Sequence, residues 1–223
     1  MTGLSLIVLD LDGTIYSSRV TTLGAVERAV RDLNARHGLA VPVPSEREIL
    51  GGIGSNRAQF AEGVFPRLPV EYHDDLDALI WHWEHALIVE GKGSLFAGAR
   101  EALADLAADG FRLAMATNAG EGYMDTVLDH FDLRRFFELA RCAGANPVGD
   151  KGDLLRGILD SLAVAPGSAA MVGDRASDVR AARKAGTRAV GCTWGFGAPS
   201  ELGDADRIIG GFGELAPLAR SWR

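Results

Sequence analysis

The sequence predicts an α/β fold built on a doubly wound parallel sheet, a Rossmann-like core. Three apolar runs of strand length each end in a polar group: Leu4 to Leu9 leads into Asp10, Phe111 to Ala116 into Thr117, and Ala169 to Gly173 into Asp174. Segments of helical period lie between them. Short apolar runs bounded by Asp or Gly read as buried strands, and their alternation with helices implies parallel strands joined by crossovers.

Taken in order, the first strand is followed by Val26, Ala29, Val30 and Leu33 at helical spacing, with an end near Gly38. A later aromatic helix surrounds Trp81 and Trp83, and residues 16–93 carry no strand pattern. This stretch therefore reads as a helical insertion, a cap, with Ser17 and Ser18 as the outgoing hinge and Gly91, Gly93 and Ser94 as a flexible return. The expected division is a core of residues 1–15 and 94–223 and a cap of residues 16–93. Beyond it, Ala99, Ala102, Leu103 and Leu106 mark one helix face before Gly110, and Leu154, Leu155, Ile158, Leu159 and Leu162 mark another. Further strands are expected at Phe137 to Cys142, Arg188 to Thr193 and Arg207 to Ile209.

With 223 residues and 47% hydrophobic content, the chain can bury a sizeable core. A net charge of -7 argues against a broad nucleic-acid or anionic-membrane surface. The cysteines, Cys142 and Cys192, are too few and too far apart for a disulfide framework or a Cys-ligated zinc site, and read as buried thiols of a reducing compartment. The N-terminal apolar run is too short for a membrane span, is cut by Asp10 and follows no basic region. These features predict a cytoplasmic protein.

Ligands of parallel sheets bind at the carboxyl ends of the strands, where Asp10 and Asp12 stand one residue apart. Carboxylates packed this closely against an apolar strand repel each other unless a cation intervenes, so a metal site is favoured over a simple turn cap. Asp174 alone reads as a turn residue, Thr117-Asn118 as an ordinary turn and Lys151 as a solvated or helix-entry lysine. Asp178 reads equally as a dipole-favoured charge in the first turn of a helix and as a support for a metal shell.

Asp10-Leu-Asp-Gly-Thr14, Thr117-Asn118, Lys151 and Gly173-Asp174-Arg-Ala-Ser-Asp178 together match the order and spacing of one family's motifs. Over nearly its whole length the chain resembles the haloacid dehalogenase-like hydrolases, and its helical insertion and Thr193-Trp194-Gly195-Phe196-Gly197 segment resemble the phosphoglycolate phosphatase-like branch. The resemblance implies Asp10 as nucleophile, forming an aspartyl-phosphate, and Asp12 as general acid and then base. It also implies Mg2+ as cofactor, held by the Asp10 carboxylate, the Asp12 backbone carbonyl and Asp174, with Asp178 in support. Thr117 and the backbone N–H of Asn118 would hold phosphate oxygens, and Lys151 would neutralise charge on the phosphoryl group and Asp10. Gly13 and Thr14 would shape the turn beside the nucleophile. Dehalogenases lack the second acid, so Asp12 implies a phosphatase or phosphomutase.

Two departures stand out. Ile15-Tyr16-Ser17-Ser18 lacks the third acid often found after this motif, and Asp150-Lys151-Gly152-Asp153 replaces the common Lys-Pro pair. In the cap, Gly52 and Arg57 occupy the region of a specificity loop, where Arg57 could meet a carboxylate or a second anionic group; a surface arginine on a flexible loop is the competing reading. His82 and His85 share a helix face but lack a third ligand. The expected function is hydrolysis of a small phosphate ester, phosphoglycolate first among candidates. A sugar-phosphate mutase, a sugar-phosphate or nucleotide phosphatase, and a non-catalytic phospho-ligand or partner-binding module are the alternatives. Oligomeric state is not legible.

Overall fold

The computed structural model describes residues 3–144 and 149–223. Strand β1 (Leu6–Leu9) is followed by a short β2 (Tyr16–Ser17) and four helices, α1 (Arg19–His37), α2 (Glu46–Gly52), α3 (Arg57–Val64) and α4 (His73–Val89). The chain returns through β3 (Ser94–Leu95), α5 (Ala99–Ala108), β4 (Arg112–Thr117), α6 (Glu121–His130) and β5 (Leu139–Cys142). It then alternates through α7 (Lys151–Leu162), β6 (Ala169–Gly173), α8 (Ala176–Ala185), β7 (Arg188–Cys192), β8 (Arg207–Ile209) and α9 (Leu215–Ser221).

Six strands form a parallel sheet in the order β5-β4-β1-β6-β7-β8. Because side chains alternate across a strand, Ile7 and Leu9 of β1 join Leu103 of α5, Val127 of α6 and Leu215 of α9 on one face. Leu6 and Val8 join Leu155 of α7 and Ala182 of α8 on the other. Both faces are covered, which is why the first strand is continuously apolar. From β1 the chain builds outward through β4 and β5, then crosses back to β6 on the other side. The carboxyl end of β1 thus lies at the topological switch point, the crevice where such sheets bind ligands.

The insert between β2 and β3 has a core of its own, where Val26, Ala29, Val30 and Leu33 of α1 meet Leu76, Leu79 and Ile80 of α4. Gly38 ends α1 in the left-handed region at φ 65°. Capping boxes, Ser45 with Glu48 and Asn56 with Gln59, start α2 and α3. The two tryptophans of α4 divide their partners: Trp83 donates to Asp32 of α1 at 2.8 Å, whereas Trp81 packs against the core of the sheet domain.

Residues 16–93 differ from expectation at their edges. Tyr16 and Ser17 pair antiparallel with Leu95 and Ser94, so the stretch expected to lack strands contributes one side of a two-stranded ribbon. Two residues per strand are too few for a period to register. The return is also tighter than expected, since a Cβ on Gly93 would lie 1.9 Å from the Tyr16 hydroxyl oxygen. Tyr16 is fully buried, with its hydroxyl 3.1 Å from that of Thr21. Among the described residues, no helix is long and apolar enough to cross a membrane.

If the core between α1 and α4 holds the insert together, Leu33→Ala should cost about 2–5 kcal/mol in urea unfolding. An unchanged midpoint and slope would contradict that packing.

Candidate active site

Four elements converge at the end of β1. The backbone N–H of Asp10 donates to Val172 of β6 at 2.9 Å, which fixes the residue in the sheet just before the chain turns. Gly13 makes the turn at φ 77°, and a Cβ there would meet an Asp174 carboxylate oxygen at 2.3 Å. Glycine is thus required twice over, by conformation and by closeness. Thr14 is buried in the wall of the turn: its hydroxyl lies 3.8 Å from the Cys192 sulfur, and its carbonyl accepts from the Trp194 indole at 2.9 Å.

Asp174 follows β6. One of its oxygens, Oδ2, accepts from the backbone N–H groups of Phe196 and Gly197 at 2.7 and 3.2 Å, while Oδ1 is buried with no hydrogen bond. Asp178, in the first turn of α8, accepts from the Arg175 backbone N–H at 3.0 Å and from the Lys151 ammonium at 2.7 Å. Lys151, the first residue of α7, also reaches Asp10 Oδ1 at 2.9 Å. Asp10 Oδ2 is a second buried oxygen without a hydrogen bond. Asp10, Asp174 and Asp178 each offer a carboxylate oxygen within 4.8 Å of the others.

Three acids and one lysine leave this buried cluster short of positive charge. Burial, Asp178 and Asp174 push the Asp10 pKa well up against the opposing pull of Lys151. Burial and the charge of Asp178 raise Asp174 to about 6. Burial opposes the charge on Lys151, but Asp10 and Asp178 outweigh it and hold the ammonium protonated. The arrangement suits an additional cation.

Asp12 faces the other way. Its Oδ1 accepts from the Tyr123 hydroxyl of α6 at 2.6 Å, and burial raises its pKa despite that hydrogen bond. Thr117 is buried at the end of β4, its hydroxyl oxygen accepting from the Ala119 N–H at 3.2 Å. The Asn118 side chain donates to the Gly54 carbonyl at 2.8 Å, which ties the sheet to the loop after α2. Lys184 is engaged elsewhere, with Asp150 and Asp153.

A cleft of about 240 Å³ opens between the insert and the sheet, lined by Asp12, Asn118 and Tyr123 on one side and Arg57, Trp81 and Glu84 on the other. Gly52 also borders it, and a Cβ there would meet Val64 at 2.7 Å and Phe60 at 2.8 Å, so it serves the packing of α2 on α3. Arg57 forks onto Asp77 of α4, with contacts of 2.8 and 2.6 Å. His85 pairs with the Thr126 hydroxyl and His82 lies against the Trp83 ring; among the described residues neither joins a group of metal ligands. Sequence reading missed Tyr123, Asp77 and Glu84. Asp77, Trp81 and Glu84 do follow the i, i+4, i+7 spacing of one helix face, but such a polar pattern reads as solvated until a wall is found opposite.

A haloacid dehalogenase-like hydrolase family model matches residues 4–186. The chain is 32% identical over 200 residues to the tyrosine-protein kinase PtkA of Mycobacterium tuberculosis, a match covering 86% of this chain and 63% of that protein. The chain thus spans under two thirds of that relative's length. It is 28% identical to the phosphoglycolate phosphatase of Chromobacterium violaceum, with 96% of each chain covered. Its fold is like that of a predicted phosphatase from Clostridium acetobutylicum, at a TM-score of 0.85 and 23% identity over 99% of this chain and 100% of the other. The matched span begins just before β1 and closes after α8, so it contains the whole cluster of Asp10, Lys151, Asp174 and Asp178. The chain belongs to the haloacid dehalogenase-like hydrolase family.

Proposed function

We propose that the protein is a Mg2+-dependent phosphatase that hydrolyses small phosphate monoesters through an aspartyl-phosphate on Asp10. The observation that carries this reading is the pair of buried oxygens without hydrogen bonds, Asp10 Oδ2 and Asp174 Oδ1, in a cluster with more acid than base. Asp10, Asp174 and Asp178 offer the oxygen donors Mg2+ prefers, and the Asp12 carbonyl would complete the protein's share. The ion would neutralise charge between nucleophile and phosphate.

The remaining roles belong to the chain. An Asp10 carboxylate oxygen attacks phosphorus, and the bond from phosphorus to the ester oxygen breaks. Asp12 gives its proton to that leaving oxygen. Tyr123 holds Asp12 Oδ1 at 2.6 Å and so orients the carboxyl that carries the proton. Water then attacks the phosphorus of the aspartyl-phosphate and returns a proton to Asp12, and the Asp10–phosphorus bond breaks to release phosphate. Lys151 steadies the charge on Asp10 throughout, while the Thr117 hydroxyl and Asn118 N–H hold phosphate oxygens. The insert acts as a cap over this cleft, and a cytoplasmic location fits the buried cysteines. 2-Phosphoglycolate heads the esters to assay, because a relative of matching length carries that name.

Asp10→Asn should lower phosphate release by about 10³-fold or more, as should EDTA on the wild type. Full Mg2+-dependent release by Asp10→Asn would eliminate Asp10 as nucleophile. Asp12→Asn should slow turnover by about 10²- to 10⁴-fold with an unchanged circular dichroism spectrum. In metal-free protein, the folded state holds the Asp174 proton up to about 6 against an ordinary 3.8. That contribution to stability is complete below the ordinary value and is lost as pH rises through about 6. Added Mg2+ should therefore raise the melting temperature more at about pH 7.5 than at about pH 5; an equal gain at both would count against this cluster as the binding site.

A further inference from the structure

The cleft wall facing Asp12 has a chemistry of its own. Its lining includes four acids, Asp12, Asp77, Glu84 and Glu121, and among the described lining residues Arg57 is the one cation. Asp77 takes Arg57 through Nε and one of its two terminal nitrogens. A leaving group that ends in a carboxylate would thus find the one cation already shared with an acid, which favours it less than an unpaired guanidinium would. Glu84 is placed differently. Its Oε1 accepts from the Thr22 hydroxyl at 2.9 Å, and among the described residues Oε2 makes no hydrogen bond. One turn before it on α4, Trp81 adds a ring surface against which C–H groups can pack.

We propose that Glu84 is a specificity-determining residue that hydrogen-bonds a hydroxyl of a polyol leaving group, so that the preferred substrates are phosphate esters of hydroxylated carbon chains. This rests on the phosphatase reading above. Burial, with the charge of Asp12, raises Glu84 to about 8. At neutral pH its carboxyl is mostly uncharged, able both to donate and to accept, which matches a hydroxyl rather than an ammonium.

The test compares kcat/KM for glycerol 3-phosphate, ribose 5-phosphate, 2-phosphoglycolate, phosphoethanolamine and acetyl phosphate, the last having no polar far end. A polyol ester should exceed 2-phosphoglycolate and phosphoethanolamine by about tenfold or more. Glu84→Ala should lower the ratio of polyol ester to acetyl phosphate by about 10- to 100-fold. Glu84→Gln, uncharged and of similar shape, should hold that ratio within about threefold of wild type. Preference for 2-phosphoglycolate or phosphoethanolamine overturns the proposal, as does a Glu84→Ala loss equal for every ester, while the phosphatase reading stands. No release from any of the esters or from acetyl phosphate, an acyl phosphate, overturns both. Should Glu84→Ala fail to fold, the wild-type order and Glu84→Gln still decide.

Discussion

Packing three carboxylates into a site with one lysine is the constraint on which the rest of this structure depends. Asp10, Asp174 and Asp178 are each 1–2% exposed and offer oxygens within 4.8 Å of one another. Desolvated like charges at that separation are unfavourable, and Lys151 balances only part of them. The sheet imposes the gathering: β1 and β6 are adjacent and in register, so the residues after their ends meet. Lys151 reaches the same point because α7 begins beside the end of the sheet, its start capped by Asp150.

The turns around the cluster are shaped by how little room it leaves. A side chain on Gly173 would run into Asp178 at 2.1 Å, and one on Gly195 would meet Asp174 at 2.3 Å. The Trp194–Gly197 segment then takes on two tasks. Its indole ties down the Thr14 carbonyl, and its backbone N–H groups take one Asp174 oxygen, which turns the other toward the cluster. A segment well past the motifs in sequence thereby orients a carboxylate within them.

The insert meets the sheet through polar contacts as well as apolar ones. Asn118 donates to Gly54, and Arg175 reaches Gly51 at 3.1 Å while also pairing with Glu201. Both links run from loops beside the carboxylate cluster to the end of the insert's second helix and the loop that follows it. On the other side, Trp81 of α4 lies edge-on to Tyr123, with ring centroids 6.4 Å apart, and Tyr123 in turn holds Asp12. A change in the seating of α4 therefore bears directly on Asp12, the residue proposed for proton transfer.

Much of the sheet was legible because buried strands have to be apolar and must end where polar chemistry begins. The runs ending at Asp10, Thr117 and Asp174 and the Gly38 helix end follow from period and composition. Asp10 and Asp12 could be singled out because adjacent carboxylates at a strand end call for a partner, and Lys151 because it stood in order with the other motifs. The two-residue ribbon escaped notice because it is shorter than any period. Arg57 read either as a contact for a carboxylate or second anionic group or as a surface arginine on a loop, since nothing in the sequence pairs it with Asp77, twenty residues on. Tyr123 and Glu84 likewise look like ordinary helix residues. Local pattern thus determined which segments form strands and helices and which acids stand at their ends. Only tertiary structure decided which side chains face each other across the cleft, because that depends on how the insert is seated against the sheet, through contacts between residues far apart in the chain.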